Sequence, residues 1–431
     1  MTNQPELSTT NLRSNWRLPA FALATFCALT ITAWPSAQAQ NYAVIYNFSG
    51  AGDISNPVAI TMDQRGNIYG DDQGGCCGGV FRLHHADSGW ILNALYVFPS
   101  RGNDGGEPGA VTIGPNGTLY AANGSGGNLG GECGTVGCGT VINLRPSPTA
   151  CATSICPWKL TLLYGFSSSG NDGQLPSPVN NVIFDHAGNL YGTTQFGGAG
   201  GNGTVYKLTP ANGGWTETIV HSFSGGNDGA VPYTGVIIDQ AGNFYGTTAF
   251  GGAANSGTVY EISPSGSGWT EKVLYSFQNG NDGNQPWGNL VLDSSGNLYG
   301  TASLGGAGNG GTVFELIPSG GGWTFNLIYA LQGTGGFGPT AGLVMDTSGN
   351  LYGTTVGDGA YEDGSVYKLT RSGGSWIYTD LHDFTGGSDG GQAWGPVSLD
   401  SNGDIYGAAK FGGAYQCSSG AKCGVVFEIT P

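Results

Sequence analysis

Basic residues are scarce. Thirteen Lys and Arg face 29 Asp and Glu in 431 residues, for a net charge of −16. A surface of that sign repels phosphate backbones, so nucleic acid is not an expected partner, whereas cations and neutral polymers are compatible with it. Charged residues of both signs make up only 10% of the chain, yet 20 Tyr, 18 Phe and 10 Trp are present. Disordered chains lack aromatics at that density. No Gly-X-Y period runs through the chain, which excludes collagen. What is abundant is glycine, 82 residues. Each interior Gly costs a helix about 1 kcal/mol relative to Ala, which argues against a helical protein. A turn-dense all-β protein remains.

One apolar run, Leu18 to Trp34, follows Arg13 and Arg17, is broken by Pro35 and precedes Ala37-Gln38-Ala39. That is the form of a secretory signal peptide, here residues 1–39. The run is shorter than the ~20 residues of a membrane span. The mature chain is therefore expected to be secreted or periplasmic, with no membrane association after cleavage. Eight cysteines remain in it, grouped as Cys76/Cys77, Cys133/Cys138, Cys151/Cys156 and Cys417/Cys423. An even count in an exported chain suggests disulfides. No cluster has a nearby His, so local bridges are favoured over zinc. Cys76 and Cys77 would form either a strained vicinal bridge or bonds to partners elsewhere. Cys77, Cys138 and Cys423 each fall three residues before a strand valine (Val80, Val141, Val426), a shared register that suggests bracing of neighbouring repeats.

The organising feature is a repeat. Asp185-His-Ala-Gly-Asn-Leu-Tyr191-Gly-Thr-Thr recurs from Asp239 and from Asp293, again around Tyr352 and Tyr406, and more loosely around Tyr69 and Tyr120. Successive tyrosines are 51, 71, 54, 54, 53 and 54 residues apart, the long interval carrying an insertion at about 146–157. Each unit reads as four short strands a–d: in the fourth, Gly235–Asp239, Asn243–Thr248, Gly257–Ile262 and Trp269–Phe277. Four antiparallel strands repeated seven times predict an all-β, seven-bladed β-propeller over residues 40–431. The N-terminal Tyr42–Phe48 matches strand d and the C-terminal Gly424–Pro431 matches strand c. The N-terminal strand is therefore expected to complete the last blade and remove the open sheet edges.

The Gly-Asn-Leu-Tyr-Gly-Thr-Thr, Gly-Thr-Val-Tyr/Phe and Phe-x-Gly-Gly-x-Asp-Gly phrases resemble the GloVer tandem repeats of exported bacterial proteins. More distantly, the chain is similar to NHL-type and virginiamycin-lyase-like propellers. The resemblance covers nearly all of residues 42–431 and implies a propeller fold, without an activity to transfer.

In a propeller, strand a lines the central channel, and the d–a and b–c loops share one face. The d–a loops carry Asp104, Asp172, Asp228, Asp282 and Asp389, with Asp53 in a degenerate copy; unit six has Gly-Thr-Gly-Gly-Phe-Gly instead. Such a ring could serve as oxygen ligands for Ca²⁺ or as turn acceptors; no other cofactor is expected. Beside these loops, Tyr233, Trp287 and Trp394 stand where other units carry Val58, Gly109, Ser177 and Thr340. Aromatic faces beside Asp228, Asp282 and Asp389 suit stacking on sugar rings; channel-mouth packing is the plainer alternative. Trp90, Trp158, Trp215, Trp269, Trp323 and Trp376 recur at the start of strand d and read as inter-blade packing. His221 and His382 occupy a strand-d position that holds Tyr in other units. No His lies in the mouth loops, and Gly386-Gly-Ser-Asp-Gly390 is a copy of the d–a loop, not a nucleophile elbow.

The leading expectation is a monomeric, non-catalytic module binding carbohydrate or another extracellular polymer. The alternatives are a glycan hydrolase or lyase using mouth carboxylates, and a protein-interaction scaffold.

Overall fold

Each Asp-x-x-Gly-Asn phrase folds as a hairpin because one carboxylate satisfies the whole turn. Asp239 Oδ1 accepts the N–H groups of Ala241 and Asn243, while Oδ2 accepts Asn243 Nδ2 at 2.8 Å and the Tyr245 hydroxyl at 3.1 Å. Gly242 takes φ 87°, which its missing Cβ permits. Asp185, Asp293 and Asp346 build the same turn.

The computed structural model describes residues 40–50, 54–75, 77–99, 104–128, 133–147, 157–177, 179, 181–333, 337–417 and 420–431. The expected signal peptide, Asp53, Cys76, Cys151, Cys156 and most of the insertion lie outside the described residues. Gln40–Pro431 form one compact unit, and its regular elements are β-strands. Seven sheets run in the order a-b-c-d, which makes a seven-bladed propeller. In blade 4 the strands are Ile237–Ile238, Phe244–Thr248, Thr258–Ser265 and Gly268–Ser276. Strand a is shorter than its sequence pattern suggests, and just before it the Thr234 carbonyl accepts the Thr193 hydroxyl of the preceding blade at 2.7 Å. Strands c and d are longer: Ser265 pairs with Gly268, leaving a two-residue turn.

The last blade closes as expected. Asn41–Asn47 pairs antiparallel with Val425–Thr430, in the register Tyr42 to Ile429, and so supplies the missing strand d. Every c–d pair carries a bulge at the same place, at Leu274 in blade 4 and Ile45 in blade 7. An added residue bends and twists the outer strand.

Packing within a blade rests on a cross-strand pair. Gly192, Gly246 and Gly353 of strand b lie opposite Tyr206, Tyr260 and Tyr367 of strand c. Gly70, Gly300 and Gly407 lie opposite Phe81, Phe314 and Phe427. The ring covers the glycine so closely that any Cβ there would overlap it. Blade 2 solves the same problem differently, with Ala121 opposite Ile142.

Between blades, each core layer is shared. Tyr245, Val259 and Phe277 of blade 4 pack with Leu290, Leu298 and Phe314 of blade 5. Full burial of each large side chain contributes roughly 1.5–3 kcal/mol. The strand-d tryptophans do span blades: Trp323 meets Tyr245, Trp376 meets Tyr299 and Trp90 meets Tyr406. Disulfides join Cys133 to Cys138 and Cys417 to Cys423, and Cys77 is also disulfide-bonded. Gly50, where the closing strand leaves its sheet, lies directly on Cys417 Sγ.

Candidate functional site at the channel mouth

Strand a lines the channel. Asn289 of blade 5 donates to Asn181 of blade 3 at 2.8 Å, a contact between non-adjacent blades. The mouth residues are positioned by a backbone feature that recurs in six blades. Asn56, Glu107, Leu175, Val231, Gln285 and Gln392 all hold φ between 53° and 58°. This left-handed conformation costs a non-glycine residue roughly 1–2 kcal/mol. The bonds it makes explain its retention. Val231 N–H reaches Asn202 O of the preceding blade at 2.8 Å, Gln285 reaches Ser256 O, and Gln392 reaches Asp363 O. Two residues later the chain presents Tyr233, Trp287 and Trp394 at the channel. Asn56 apart, nothing in the identity of these left-handed residues signals the conformation.

The structure brings Tyr233 and Trp287 together, stacked with centroids 5.0 Å apart and planes at 24°. Phe337 extends the stack at 5.6 Å and 25°. The three rings come from blades 4, 5 and 6 and form one platform. Phe337 was not singled out in the sequence because unit six departs from the d–a repeat; that departure was the available signal. Phe337 is 42% exposed, so the platform reaches solvent. Burial raises the Tyr233 phenol, and a hydrogen bond with Ser177 partly offsets it. The Trp287 indole nitrogen is buried without a partner among the described residues, as is that of Trp394.

Trp394 stands apart from that platform. Lys410 Nζ lies 5.4 Å from its ring centroid and donates to Gln73 Oε1 at 2.8 Å. Burial lowers the Lys410 ammonium and raises the fully buried Asp71 carboxyl, whose Oδ1 accepts Ala59 N–H at 3.1 Å. The mouth therefore has an aromatic arc on blades 4–6 and a Trp394–Lys410–Asp71 cluster where blade 7 meets blade 1.

The loop aspartates are held in their own turns. Asp228 accepts Ser224 N–H at 2.8 Å and lies 3.6 Å from His221. Asp282 accepts Gln278 N–H at 2.7 Å and the Tyr275 hydroxyl at 3.0 Å. Asp389 accepts Thr385 N–H at 3.0 Å and contacts His382 at 3.2 Å. Burial works against its charge, but the Thr385 hydrogen bonds prevail and keep Asp389 below the usual carboxylate range. Each sits beside strand d of its own blade boundary; Asp228 shares a rim cavity of about 420 Å³ with Glu271 and Val273. Among the described residues, no group of three or more His, Cys, Asp or Glu is arranged to hold a metal ion.

This fold and mouth define a seven-bladed propeller with an aromatic-lined channel entrance. Residues 178–376 match the Gloeobacter/Verrucomicrobia repeat. No curated protein matches it in sequence. A streptogramin B lyase structure is similar with a TM-score of 0.53 and 12% identity, over 91% of this chain and 97% of that one. A virginiamycin B lyase from Staphylococcus aureus gives 0.52 and 12%, over 91% and 100%. The extracellular domain of a one-component system from B. thetaiotaomicron gives 0.52 and 12%, over 90% of this chain and 40% of that one. At this identity the likeness is one of fold.

Proposed function

We propose that the protein is an exported, non-catalytic binding module for carbohydrate or another extracellular polymer, held at the channel mouth. The observation that carries this reading is the Tyr233–Trp287–Phe337 stack. The stack covers the inner ring faces and ends on Phe337, which is 42% exposed and offers an apolar surface for the face of a sugar ring. Asn289 Oδ1, buried without a partner among the described residues, adds an acceptor beside it. In this reading Asp228, Asp282 and Asp389 buttress the loops that frame the platform. A glycan array with wild type and Trp287→Ala tests it. Wild type should bind a defined set of glycans and the variant should lose roughly tenfold or more, as for a central aromatic anchor. Binding to no glycan by wild type, or unchanged binding by the variant, would sink the reading.

A further inference from the structure

On the face opposite the mouth, a–b turns of neighbouring blades flank a groove walled by a strand-d tryptophan. Between blades 3 and 4 this groove measures about 580 Å³. There Pro264 stands opposite Trp269, and the Tyr191 hydroxyl is tied to its own turn carboxylate, Asp185, at 3.0 Å. Between blades 7 and 1 the groove opens to about 810 Å³, and three departures from the repeat change its chemistry.

His85 replaces the proline opposite Trp90, its ring edge-on at 5.5 Å. Asp404 replaces the turn asparagine, so the 2.8 Å side-chain clamp that Asn243 applies to Asp239 is absent from Asp400; its Oδ1 still accepts the Asn402 and Asp404 N–H groups, but its Oδ2 receives only the longer Asn402 side-chain bond at 3.2 Å. The Tyr406 hydroxyl turns to Glu428, at 2.7 Å. Asp400, Asp404 and Glu428 all act electrostatically on Tyr406. Across the groove stands Asp63, and the lining contains a single guanidinium, Arg65. The result is an acidic groove with an indole wall at the ring's closure.

We propose that this groove is a second binding site, for a sugar bearing a free, protonated amine such as a glucosamine unit. The ring would lie on Trp90 and the ammonium between Glu428 and Asp400. An ammonium is favoured by the surplus of carboxylates and by the adjoining aromatic faces. A flat ring, and not a flexible alkyl chain, fits the Trp90 wall and the volume. The proposal stands independently of the mouth reading, since it uses none of its residues.

Calorimetric titration of the full chain with glucosamine tetramer, N-acetylglucosamine tetramer and tetralysine tests it. The free-amine tetramer should bind at least about tenfold tighter than the other two, and Glu428→Gln should weaken it by about tenfold, the scale of a lost charge-assisted hydrogen bond. The amide oxygen introduced by that substitution can still accept from Tyr406, so the fold is retained. Trp287→Ala, on the opposite face, should leave this affinity unchanged. Equal binding of tetralysine, equal binding of the acetylated tetramer, no binding of the free-amine tetramer, or indifference to Glu428→Gln would each overturn the proposal.

Discussion

A glycine in mid-strand weakens a sheet unless something needs its missing side chain, and in six blades an aromatic ring does. Gly246 and Tyr260 are one such pair. Gly246→Ala should destabilise by about 1–3 kcal/mol, the usual cost of overpacking. Adding Tyr260→Ile should recover much of that loss, because Ala121 and Ile142 already pair this way in blade 2. A double-mutant cycle by chemical denaturation checks the coupling. The Tyr260 hydroxyl is buried without a partner among the described residues. Tyr260→Phe should therefore be neutral or stabilising by up to about 1 kcal/mol, since an unsatisfied buried hydroxyl is costly. Val231 is the most strained of the left-handed residues, being β-branched at φ 55°. Val231→Asn, the residue blade 1 carries as Asn56, should raise the melting temperature.

At the scale of the element, the closing strand and its disulfide act together. Phe48 N–H bonds Gly424 O at 3.1 Å, Asn47 accepts Ala414 N–H, and Gly50 rests on the Cys417–Cys423 bridge. Replacing both cysteines with serine should cost about 2 kcal/mol and deprotect Asn41–Asn47 first in hydrogen exchange. An unchanged melting temperature would exclude a bracing role. How far this arrangement was legible depends on where its information lies. Strand order, blade number and closure follow from periodic phrases and from ends that match strands d and c. The a–b turn was readable because Asp, Gly and Asn each have a local reason to be there. Contacts between breaks in the repeat were not readable. Phe337 joins Trp287 only in three dimensions, and Lys410 meets Gln73 from 337 positions away. Asp228, Asp282 and Asp389 were readable as loop residues, but their partners in strand d emerge only from the register.

At the scale of the whole molecule, two carboxylate populations oppose each other. Although partial burial acts against their charge, hydrogen bonds hold Asp63, Asp185, Asp239, Asp293 and Asp346 below the ordinary range. Their contribution is present above the ordinary carboxylate value and is lost as pH falls through the depressed one. Burial raises Glu217 and Glu271 to about 7, and Asp380 to about 6. Their contribution is full at low pH and is lost as pH rises through those values. Thermal stability should therefore peak near the ordinary carboxylate values, about 4, and fall as pH rises from there to about 7. A melting temperature that rises steadily to pH 8 would contradict this.

The borrowed strand also sets a clock. Asn41–Asn47 precedes the seven blades in the chain, yet its partner Val425–Thr430 follows six of them and the rest of the seventh. At about 5–20 residues per second, the interval is on the order of 20–80 s. Throughout it the nascent propeller is an arc with two bare edges, each able to pair with a neighbour's. The ring is thus most exposed while Asn41–Asn47 waits for Val425–Thr430, and whatever shields the edges during that wait governs the yield of closed rings.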